Sequence, residues 1–353
     1  MVKVSIIMPV YNVEAYIRKS LDSVVNQTLK DIEAICVDDC SPDGSGRILD
    51  EYAAKDKRIR VFHLEKNGGP GVARNFALGK AKGEYIMFLD PDDWYELNAC
   101  ELAYNQIKKN KNDIVFFGIR FYDNKKRTLR EDKFRLSGLL PYANNEHINP
   151  SEVEIPFITT TEIWHRIYSK DFLDRNSILF STSYCGEDVI FAMRANLFAR
   201  DVSVLNIPLY NYRDNNDNSM SHNSNKWKEN FSNRYEILKY MEKNANANIL
   251  NSYIVWCIRS VLVWGKRYIQ ANPAQGRNIY LSMRQIFMEL NQKYNIRAFK
   301  EYLDYTQFKK IVKNSWWKHQ LFMYLSKIFL LKDSADKKHK IFSFLGIKVK
   351  VRK

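Results

Sequence analysis

Two groups of acidic residues in this 353-residue chain stand where chemistry is expected. Asp38 and Asp39 follow the apolar run IEAICV, and Asp90, Asp92 and Asp93 follow the apolar run YIMFL. Carboxylates this close together repel each other, so the arrangement costs stability unless a positive group lies among them. Each group alone is also compatible with a solvated turn, because Asp is a common turn residue. Oxygen ligands at a D-x-D spacing suit Mg²⁺ or Mn²⁺, so the two groups together predict a site for a polar ligand and a divalent cation.

The elements that must position these residues form an alternating pattern. Apolar runs typical of buried strands recur in the first third of the chain: VSIIMPVY, IEAICVDD, IRVFHLE, YIMFLD and DIVFFGIRFYD. Between them, Ile17, Leu21 and Val24 form an apolar stripe, and GRILDEYAAK and GVARNFALGKA are also typical of helices. This alternation predicts an α/β fold with a doubly wound, mostly parallel sheet flanked by helices. Ligands bind such sheets at the carboxyl ends of the strands, which is where the acidic residues stand.

Three regions are expected along the chain. Residues 1–225 form the domain that carries the acidic groups, including a polar stretch at 124–160 that we interpret as an excursion contributing to an acceptor pocket. Residues 226–332 have helical periodicity with many Trp and Tyr, which indicates a helical C-terminal region. Residues 333–353 form a basic tail.

Composition and motifs exclude several classes of protein. The five cysteines never form a C-x-x-C pair, which argues against a disulfide framework or structural zinc and favours a reducing cytosol. We expect no export signal, no transmembrane helix and no nucleic-acid partner. A G-x-G-x-x-G fingerprint does not follow the first strand, and no Walker A sequence occurs. These absences argue against a dinucleotide-binding protein and against an ATPase.

Four motifs resemble the inverting family-2 glycosyltransferases with the GT-A fold, of the type that builds bacterial surface polysaccharides. They are VSIIMPVYNVEAYIRKSLDSVVNQT, VDDCSPDGS, KNGGPGVARNFAL and GEYIMFLDPDDW, and their order and spacing match across roughly the first 100 residues. The resemblance implies that the chain is an enzyme that moves a hexosyl or N-acetylhexosaminyl group from a nucleotide sugar, with UDP-linked donors favoured. The acceptor would be a hydroxyl of a capsule, lipooligosaccharide or related glycan, free or linked to a lipid.

The resemblance also implies nucleotide-binding residues. They lie at the ends of the first two strands, in the GGPGVARN stretch, in the D-x-D pair and in a later Tyr-Arg motif: Pro9, Tyr11, Asn12, Asp38, Asp39, Arg74, Asn75, Asp90 and Arg213. Within this set, Asp39 corresponds to the carboxylate that reads the uracil ring. The alternative for Arg74 and Asn75 is an ordinary helix cap and surface charge.

Metal and acceptor residues follow from the same resemblance. Asp90 and Asp92 match the family's D-x-D pair and would hold Mn²⁺ or Mg²⁺, with His222 completing the metal shell. Asp93 and Trp94 would lie nearer the acceptor. The family often has Ser where this chain has a proline between the two carboxylates, and a proline there stiffens the turn. A lone His in a polar loop is also simply solvated, which is the alternative for His222.

The stretch YCGEDVIFAMRANL resembles the family's Glu-Asp motif at the start of a helix, so Asp188, next to Glu187, is the expected catalytic base. The alternative is that both are first-turn acids favoured by the helix dipole. In IWHRIYSKDFL, Arg166 replaces a lysine that the family usually has, which keeps the charge but not the shape. The alternatives for the whole chain are a sugar-phosphate nucleotidyltransferase and a non-catalytic sugar-binding protein.

The net charge of +15 is uneven along the chain. Residues 1–100 carry 13 Lys and Arg against 16 Asp and Glu, whereas residues 301–353 carry 13 against 4. The basic tail therefore predicts a cytoplasmic enzyme that is peripheral on the inner face of the membrane, bound to an anionic bilayer surface. The alternative is that the apolar residues of the tail dock on the helical region and its lysines are solvated.

Overall fold

The computed structural model describes residues 1–131, 140–143, 145–153, 161–182, 186–214, 227–299, 305–313, 329–333, 339–344 and 347–352. The chain forms two compact units, residues 1–256 and residues 257–353. The region boundaries expected from the sequence, after residues 225 and 332, stay predictions.

The first unit is built around a sheet of nine strands, in the order β3-β2-β1-β4-β8-β6-β9-β5 with β7 beside β6. The strands are β1 Val4–Val10, β2 Ile32–Asp38, β3 Ile59–His63, β4 Tyr85–Phe88, β5 Trp94–Tyr95, β6 Ile114–Asp123, β7 Thr128–Glu131, β8 Arg166–Ser169 and β9 Val202–Asp214. Its helices are α1 Ile17–Val25, α2 Ser45–Lys55, α3 Pro70–Lys80, α4 Ala99–Asn110, α5 Lys170–Arg175, α6 Glu187–Phe198 and α7 Trp227–Asn244.

The α/β prediction is confirmed, and all five apolar runs form strands of this sheet. Strands β3, β2, β1 and β4 are parallel, and every residue of β1, β2 and β4 is buried, as expected for strands covered on both faces. The other half is mixed, because β8 lies antiparallel to both β4 and β6. The parallel half therefore carries the strand ends on which the expected site depends.

A distortion of β9 brings its last residues to the same end of the sheet. Strand β9 pairs with β6 in parallel, and the register shifts on both sides of Gly118. A Cβ atom at Gly118 would lie 2.9 Å from the backbone of Pro208, so the close approach of the two strands here requires glycine. Bulges of this kind re-aim the residues that follow them. The final residues of β9, including Tyr210 and Arg213, can thus reach the Asp90–Asp93 turn.

The second unit begins within α8 Ala247–Ala271 and continues through α9 Gly276–Lys293 and α10 Tyr305–Lys313. This confirms the predicted helical C-terminal region. Three strands follow and form an antiparallel sheet: β10 Phe329–Asp333, β11 His339–Phe344 and β12 Ile347–Arg352. No helix among the described residues is long and apolar enough to span a membrane.

Candidate active site

The two acidic groups lie at the ends of the two strands that flank β1, as expected. Strand β1 lies between β2, which ends at Asp38, and β4, which ends two residues before Asp90. The amide of Asp39 donates a hydrogen bond to the carbonyl of Val10, the last residue of β1, at 2.8 Å. The carboxylates therefore border the carboxyl end of one parallel sheet, where ligands of such sheets bind.

Asp39 connects the end of β2 to the start of α3. Its two carboxylate oxygens accept hydrogen bonds from the amides of Gly68 and Gly69, each at 2.8 Å. Gly69 has a φ of 85°, a left-handed conformation that glycine adopts without strain. Burial raises the pKa of Asp39, and the two amides oppose that shift. The carboxylate is thus held in one orientation, and its part in reading a base stays a prediction.

Asp38 takes part in a cluster that the sequence analysis missed. Its carboxylate accepts a hydrogen bond from the amide of Ser41 at 3.0 Å and lies 2.9 Å from Nδ1 of His63. The other ring nitrogen of His63 lies 3.1 Å from the carboxylate of Asp50. The Asp38 carboxylate raises the pKa of His63. A sequence signal did exist, because Asp38 and His63 both lie near the ends of apolar runs that predict strands, and the structure pairs them in register.

Arg74 joins the acidic turn after β4 to the start of α6. Its Nη2 donates to Oδ1 of Asp90 at 2.8 Å, and its Nη1 donates to Oε1 of Glu187 at 2.7 Å. The residue is 6% exposed, and burial by itself would lower its pKa. The carboxylates of Asp90, Glu187 and Asp188 outweigh burial, so the pKa of Arg74 is raised. Arg74 is therefore the positive group that the crowded carboxylates require.

The start of α3 lies close against the segment that leads into α6. A Cβ atom at Gly71 would lie 2.1 Å from the carbonyl oxygen of Ser181 and 3.1 Å from Cγ of Glu187. Asn75, one turn further along α3, exchanges two hydrogen bonds of 2.9 Å with the backbone of Phe180. Asn75 therefore positions the segment before α6, and its predicted contact with a nucleotide is untested.

Glu187 and Asp188 begin α6, as the sequence pattern predicts. Burial raises the pKa of Glu187, and Arg74 opposes that shift. Burial, followed by repulsion from Glu187, raises the pKa of Asp188 to about 7. Asp188 is half-buried, and its Oδ1 accepts a hydrogen bond from the amide of Val189 at 2.8 Å. A carboxyl group poised near neutral pH suits a general base. The catalytic role of the pair stays a prediction.

Asp93 is held inside the fold by β9. Its Oδ2 accepts a hydrogen bond from the hydroxyl of Tyr210 at 2.7 Å, and its Oδ1 accepts one from the amide of Arg213 at 2.6 Å. It is 2% exposed, and burial, together with the nearby carboxylates of Asp92 and Asp90, raises its pKa well above the usual range. The structure thus gives Asp93 a positioning contact, and its predicted contact with an acceptor is untested.

Arg213 reaches the same turn with its side chain. Its Nε donates to the carbonyl of Asp92 at 2.8 Å, and its Nη1 donates to the side chain of Asn124 at 2.9 Å. The guanidinium carbon lies 5.2 Å from the ring centroid of Trp94, which is buried and pairs with β9. Arg213, on β9, and Trp94, which pairs with β9, therefore hold the turn in place.

The other predicted residues are placed as follows. Pro9 is buried inside β1, and Tyr11 is exposed. Asn12 has a φ of 54°, and its backbone amide donates a hydrogen bond to the hydroxyl oxygen of Ser41 at 3.2 Å. His222 lies outside the described residues. Arg166, expected to carry charge in the family element, is fully buried and donates to the side chain of Asn196 at 2.8 Å.

The oxygen ligands that the turn after β4 offers fit a hard divalent cation. Among the described residues, no three His, Cys, Asp or Glu side chains are grouped to hold a metal. Mg²⁺, however, is usually bound through one or two carboxylates, several waters and the phosphates of a substrate. Asp90 and Asp92 supply two carboxylates from one turn, and both are half-exposed. The residues present therefore fit Mg²⁺ or Mn²⁺ bound together with a phosphate ligand.

Comparison with known sequences relates the first half of the chain to one family. Residues 5–176 match glycosyl transferase family 2. EpsJ of Bacillus subtilis, an uncharacterized glycosyltransferase, is 36% identical over 213 residues, which cover 60% of this chain and 61% of EpsJ. TarS of Staphylococcus aureus, a poly(ribitol-phosphate) β-N-acetylglucosaminyltransferase, is 32% identical over 216 residues, which cover 60% of this chain and 35% of TarS. The chain thus spans about three fifths or less of the length of these curated relatives.

Solved structures share the fold. The first 349 residues of S. aureus TarS in complex with UDP-GlcNAc superpose with a TM-score of 0.65 and 20% identity, covering 99% of both chains. The mannosyltransferase PcManGT from Pyrobaculum calidifontis, in complex with GDP-Man and Mn²⁺, superposes with a TM-score of 0.52 and 15% identity, covering 88% of this chain and 84% of that one. The predicted GT-A fold is confirmed. Residues 5–176, just under half of the chain, are thus similar in sequence to the family 2 glycosyltransferases.

Proposed function

We propose that the chain is a metal-dependent inverting glycosyltransferase that moves a hexosyl or N-acetylhexosaminyl group from a UDP-linked donor to a hydroxyl of a bacterial surface glycan. The observation that carries this proposal is the Arg74 bridge. It links Asp90, the predicted donor-side carboxylate, to Glu187, which directly precedes the predicted base. Under this proposal, the bridge holds the donor-side turn next to the start of the helix that carries the base, although the two elements are far apart in sequence.

The reaction requires an in-line displacement at the anomeric carbon. The acceptor oxygen forms a bond to that carbon while the bond to the diphosphate oxygen breaks, and the acceptor hydroxyl loses its proton. Asp188 is the proposed base that takes this proton, a contribution typically worth about 10²–10⁴-fold in rate. Because its pKa is raised to about 7, Asp188 can accept a proton near neutral pH and release it afterwards.

Asp90 and Asp92 would hold the divalent cation, which when bound stabilises the negative charge of the leaving diphosphate as a Lewis acid. Support for a metal comes from the two carboxylate ligands in the turn and from the Mn²⁺ in the PcManGT complex. Support for a UDP-linked donor comes from the UDP-GlcNAc complex of TarS. A glycan acceptor is supported by the poly(ribitol-phosphate) named for TarS.

Two other functions predict different results. A sugar-phosphate nucleotidyltransferase needs a loop for a triphosphate, and a glycine-rich basic loop does not follow the first strand. A non-catalytic sugar-binding protein needs neither a base nor a metal pair. Metal-dependent release of nucleoside diphosphate from a nucleotide sugar is expected only of a transferase.

The test is a screen of the full chain against UDP-glucose, UDP-N-acetylglucosamine, UDP-galactose and GDP-mannose, with and without Mn²⁺. The readouts are the melting temperature, which rises when a ligand binds the folded state, and released nucleotide. We expect Asp92→Asn to lose both responses to Mn²⁺. The matched control is Asp31→Asn, which changes an exposed carboxylate paired with Lys3 near the start of β2. Full turnover in excess chelator would contradict the metal assignment.

We further propose that the enzyme works in the cytoplasm at the inner, anionic face of the membrane, held there by its basic tail. Residues 333–353 carry seven Lys and Arg residues against two Asp residues. Each basic residue near an anionic surface contributes on the order of 1 kcal/mol to binding. Co-sedimentation with phosphatidylglycerol vesicles tests this, because binding that survives deletion of residues 333–353 would remove the tail from the proposal.

A further inference from the structure

Two cations converge on one pair of aromatic rings beside the acidic turn. Nζ of Lys19, on α1, lies 3.3 Å from the ring centroid of Trp94 and 4.8 Å from that of Tyr122. The guanidinium carbon of Arg213, at the end of β9, lies 5.2 Å and 5.4 Å from the same two centroids. It also lies 4.9 Å from the ring of Tyr16. Four elements of the first unit thus place two positive charges around one aromatic surface.

The described residues supply no carboxylate ion pair for either cation. Arg213 donates its side-chain hydrogen bonds to two neutral oxygens, the carbonyl of Asp92 and the amide of Asn124. Glu96, whose charge raises the pKa of Lys19, accepts hydrogen bonds from Arg120 at 2.8 Å and from the side chain of Asn211 at 2.9 Å.

The arrangement carries an electrostatic cost. Burial and the charge of Arg213 lower the pKa of Lys19, and Glu96 only partly opposes them. Cation–π contacts with the two aromatic rings offset part of the repulsion without neutralising either charge. Two like charges held together in this way stabilise an anion that lies between them.

We propose that Lys19 and Arg213, held on the shared surface of Trp94 and Tyr122, bind a phosphate group carried by the acceptor. This inference rests on the proposed glycosyl transfer and names a chemical class for its acceptor. Phosphate matches the site because it carries charge on several oxygens that accept hydrogen bonds from more than one cation. Arg213 suits the fixed part of the site because it is buried, whereas Lys19 is exposed and can adjust to a ligand.

The resemblance places Arg213 among the nucleotide-binding residues but places Trp94, on whose ring both cations lie, nearer the acceptor, and we assign the surface to the acceptor. Arg213 contacts the carbonyl of Asp92, and Trp94 follows Asp92 by two residues, so the surface lies beside the predicted metal ligand. Lys19 contacts the rings of Trp94 and Tyr122. Two of the residues predicted to bind the nucleotide lie on other elements: Asp39 follows the end of β2, and Arg74 lies in α3. Under the proposal, a phosphate on this surface is a second anionic group besides the diphosphate of the donor, and binding in saturating UDP distinguishes the two.

The test measures binding to the full chain in saturating UDP and Mg²⁺, so that the donor site is already filled. The probe is a short synthetic oligo(glycerol phosphate), and the uncharged probe is the corresponding oligoglycerol. We expect the charged probe alone to bind, and Lys19→Gln to weaken it roughly tenfold, the usual effect of losing one hydrogen bond to a charged group. Lys80→Gln is the matched control, because Lys80 is also exposed and lies 5.4 Å from the centroid of an aromatic ring at the far end of α3.

Three results would overturn the assignment. A Lys19→Gln chain that binds the charged probe as well as the unchanged chain removes Lys19 from any such site. Loss of UDP affinity in Lys19→Gln moves the cations to the donor site. If Lys19→Gln loses binding to phosphatidylglycerol vesicles but binds the soluble probe unchanged, the surface is a lipid headgroup site. Because UDP binding is measured separately, absence of UDP binding in the unchanged chain contradicts the proposed function and is distinguishable from these results.

Discussion

Replacing Arg74 by glutamine tests the bridge on which the proposed function depends. The change removes a cation that pairs with Asp90 at 2.8 Å and with Glu187 at 2.7 Å, and the side chains of Arg74 and Glu187 are only 7% and 8% exposed. Removing one partner of a buried ion pair typically costs about 3–5 kcal/mol, because the remaining charge is left uncompensated. We therefore expect the melting temperature of Arg74→Gln to fall by on the order of 10 °C near neutral pH.

The loss should depend on pH with a definite sign. The pKa of Glu187 is already raised by burial and lowered by Arg74, so removing Arg74 raises it further. A carboxyl group whose pKa is higher in the folded state contributes stability below its unfolded pKa and loses that contribution as pH rises through the folded pKa. Arg74→Gln should consequently be destabilised more at about pH 8 than at about pH 5.5.

The assay is differential scanning calorimetry of the unchanged chain and the variant at both pH values. Arg47→Gln is the control, because Arg47 is 66% exposed and its ion pair with Glu51 should contribute at most about 1 kcal/mol. A double variant with Glu187→Gln should recover part of the loss, since it removes the buried charge. Equal and small losses at both pH values would refute the reasoning. Unchanged stability with weaker UDP binding would instead support direct contact of Arg74 with the nucleotide.

Two further predictions concern the roles of single carboxylates. Asp188→Asn should nearly abolish transfer while UDP and Mn²⁺ binding stay largely intact, because the amide keeps the size of the side chain but cannot accept the proton. Turnover of the unchanged enzyme should fall as pH drops below about 7, and normal turnover of Asp188→Asn with an inactive Glu187→Gln would move the base to Glu187. Asp39→Ala should weaken UDP affinity, measured by calorimetry, more than it lowers kcat, since a base-reading carboxylate contributes uniform binding; lower kcat with unchanged UDP affinity would count against that role.

The parallel half of the sheet could be predicted from the sequence because its strands are buried on both faces. Strands of this kind are continuous apolar runs, and each predicted run between Val4 and Phe88 forms a strand. Strand β5 could not be recognised, because it has only two residues, Trp94–Tyr95. Strand β9 was missed because the Asn206–Pro208 stretch interrupts its apolar pattern where the register shifts against β6.

The site could be predicted in its residue types but not in its pairings. Spacing along the chain indicated carboxylates at strand ends, yet Arg74 and Glu187 are 113 residues apart, and only the docking of α3 against α6 brings them together. The two amides that hold Asp39 come from a loop that begins a different helix. Side-chain type does not encode which backbone groups will face it, so contacts of this kind follow from tertiary structure alone.

The repulsion among the carboxylates of Asp90, Asp92 and Asp93 is reduced in a different way at each end of the turn. Asp90 accepts a hydrogen bond from the cation of Arg74, whereas Asp93 is bonded to a neutral hydroxyl and a neutral amide, and burial raises its pKa. A carboxylate can accept several hydrogen bonds, so the contact from Arg74 leaves Asp90 able to bind a cation as well. Since groups of the chain itself already offset the repulsion, we expect the fold to form without a divalent ion. The ion would then be required by the diphosphate of the substrate, whose charge none of these protein contacts offsets.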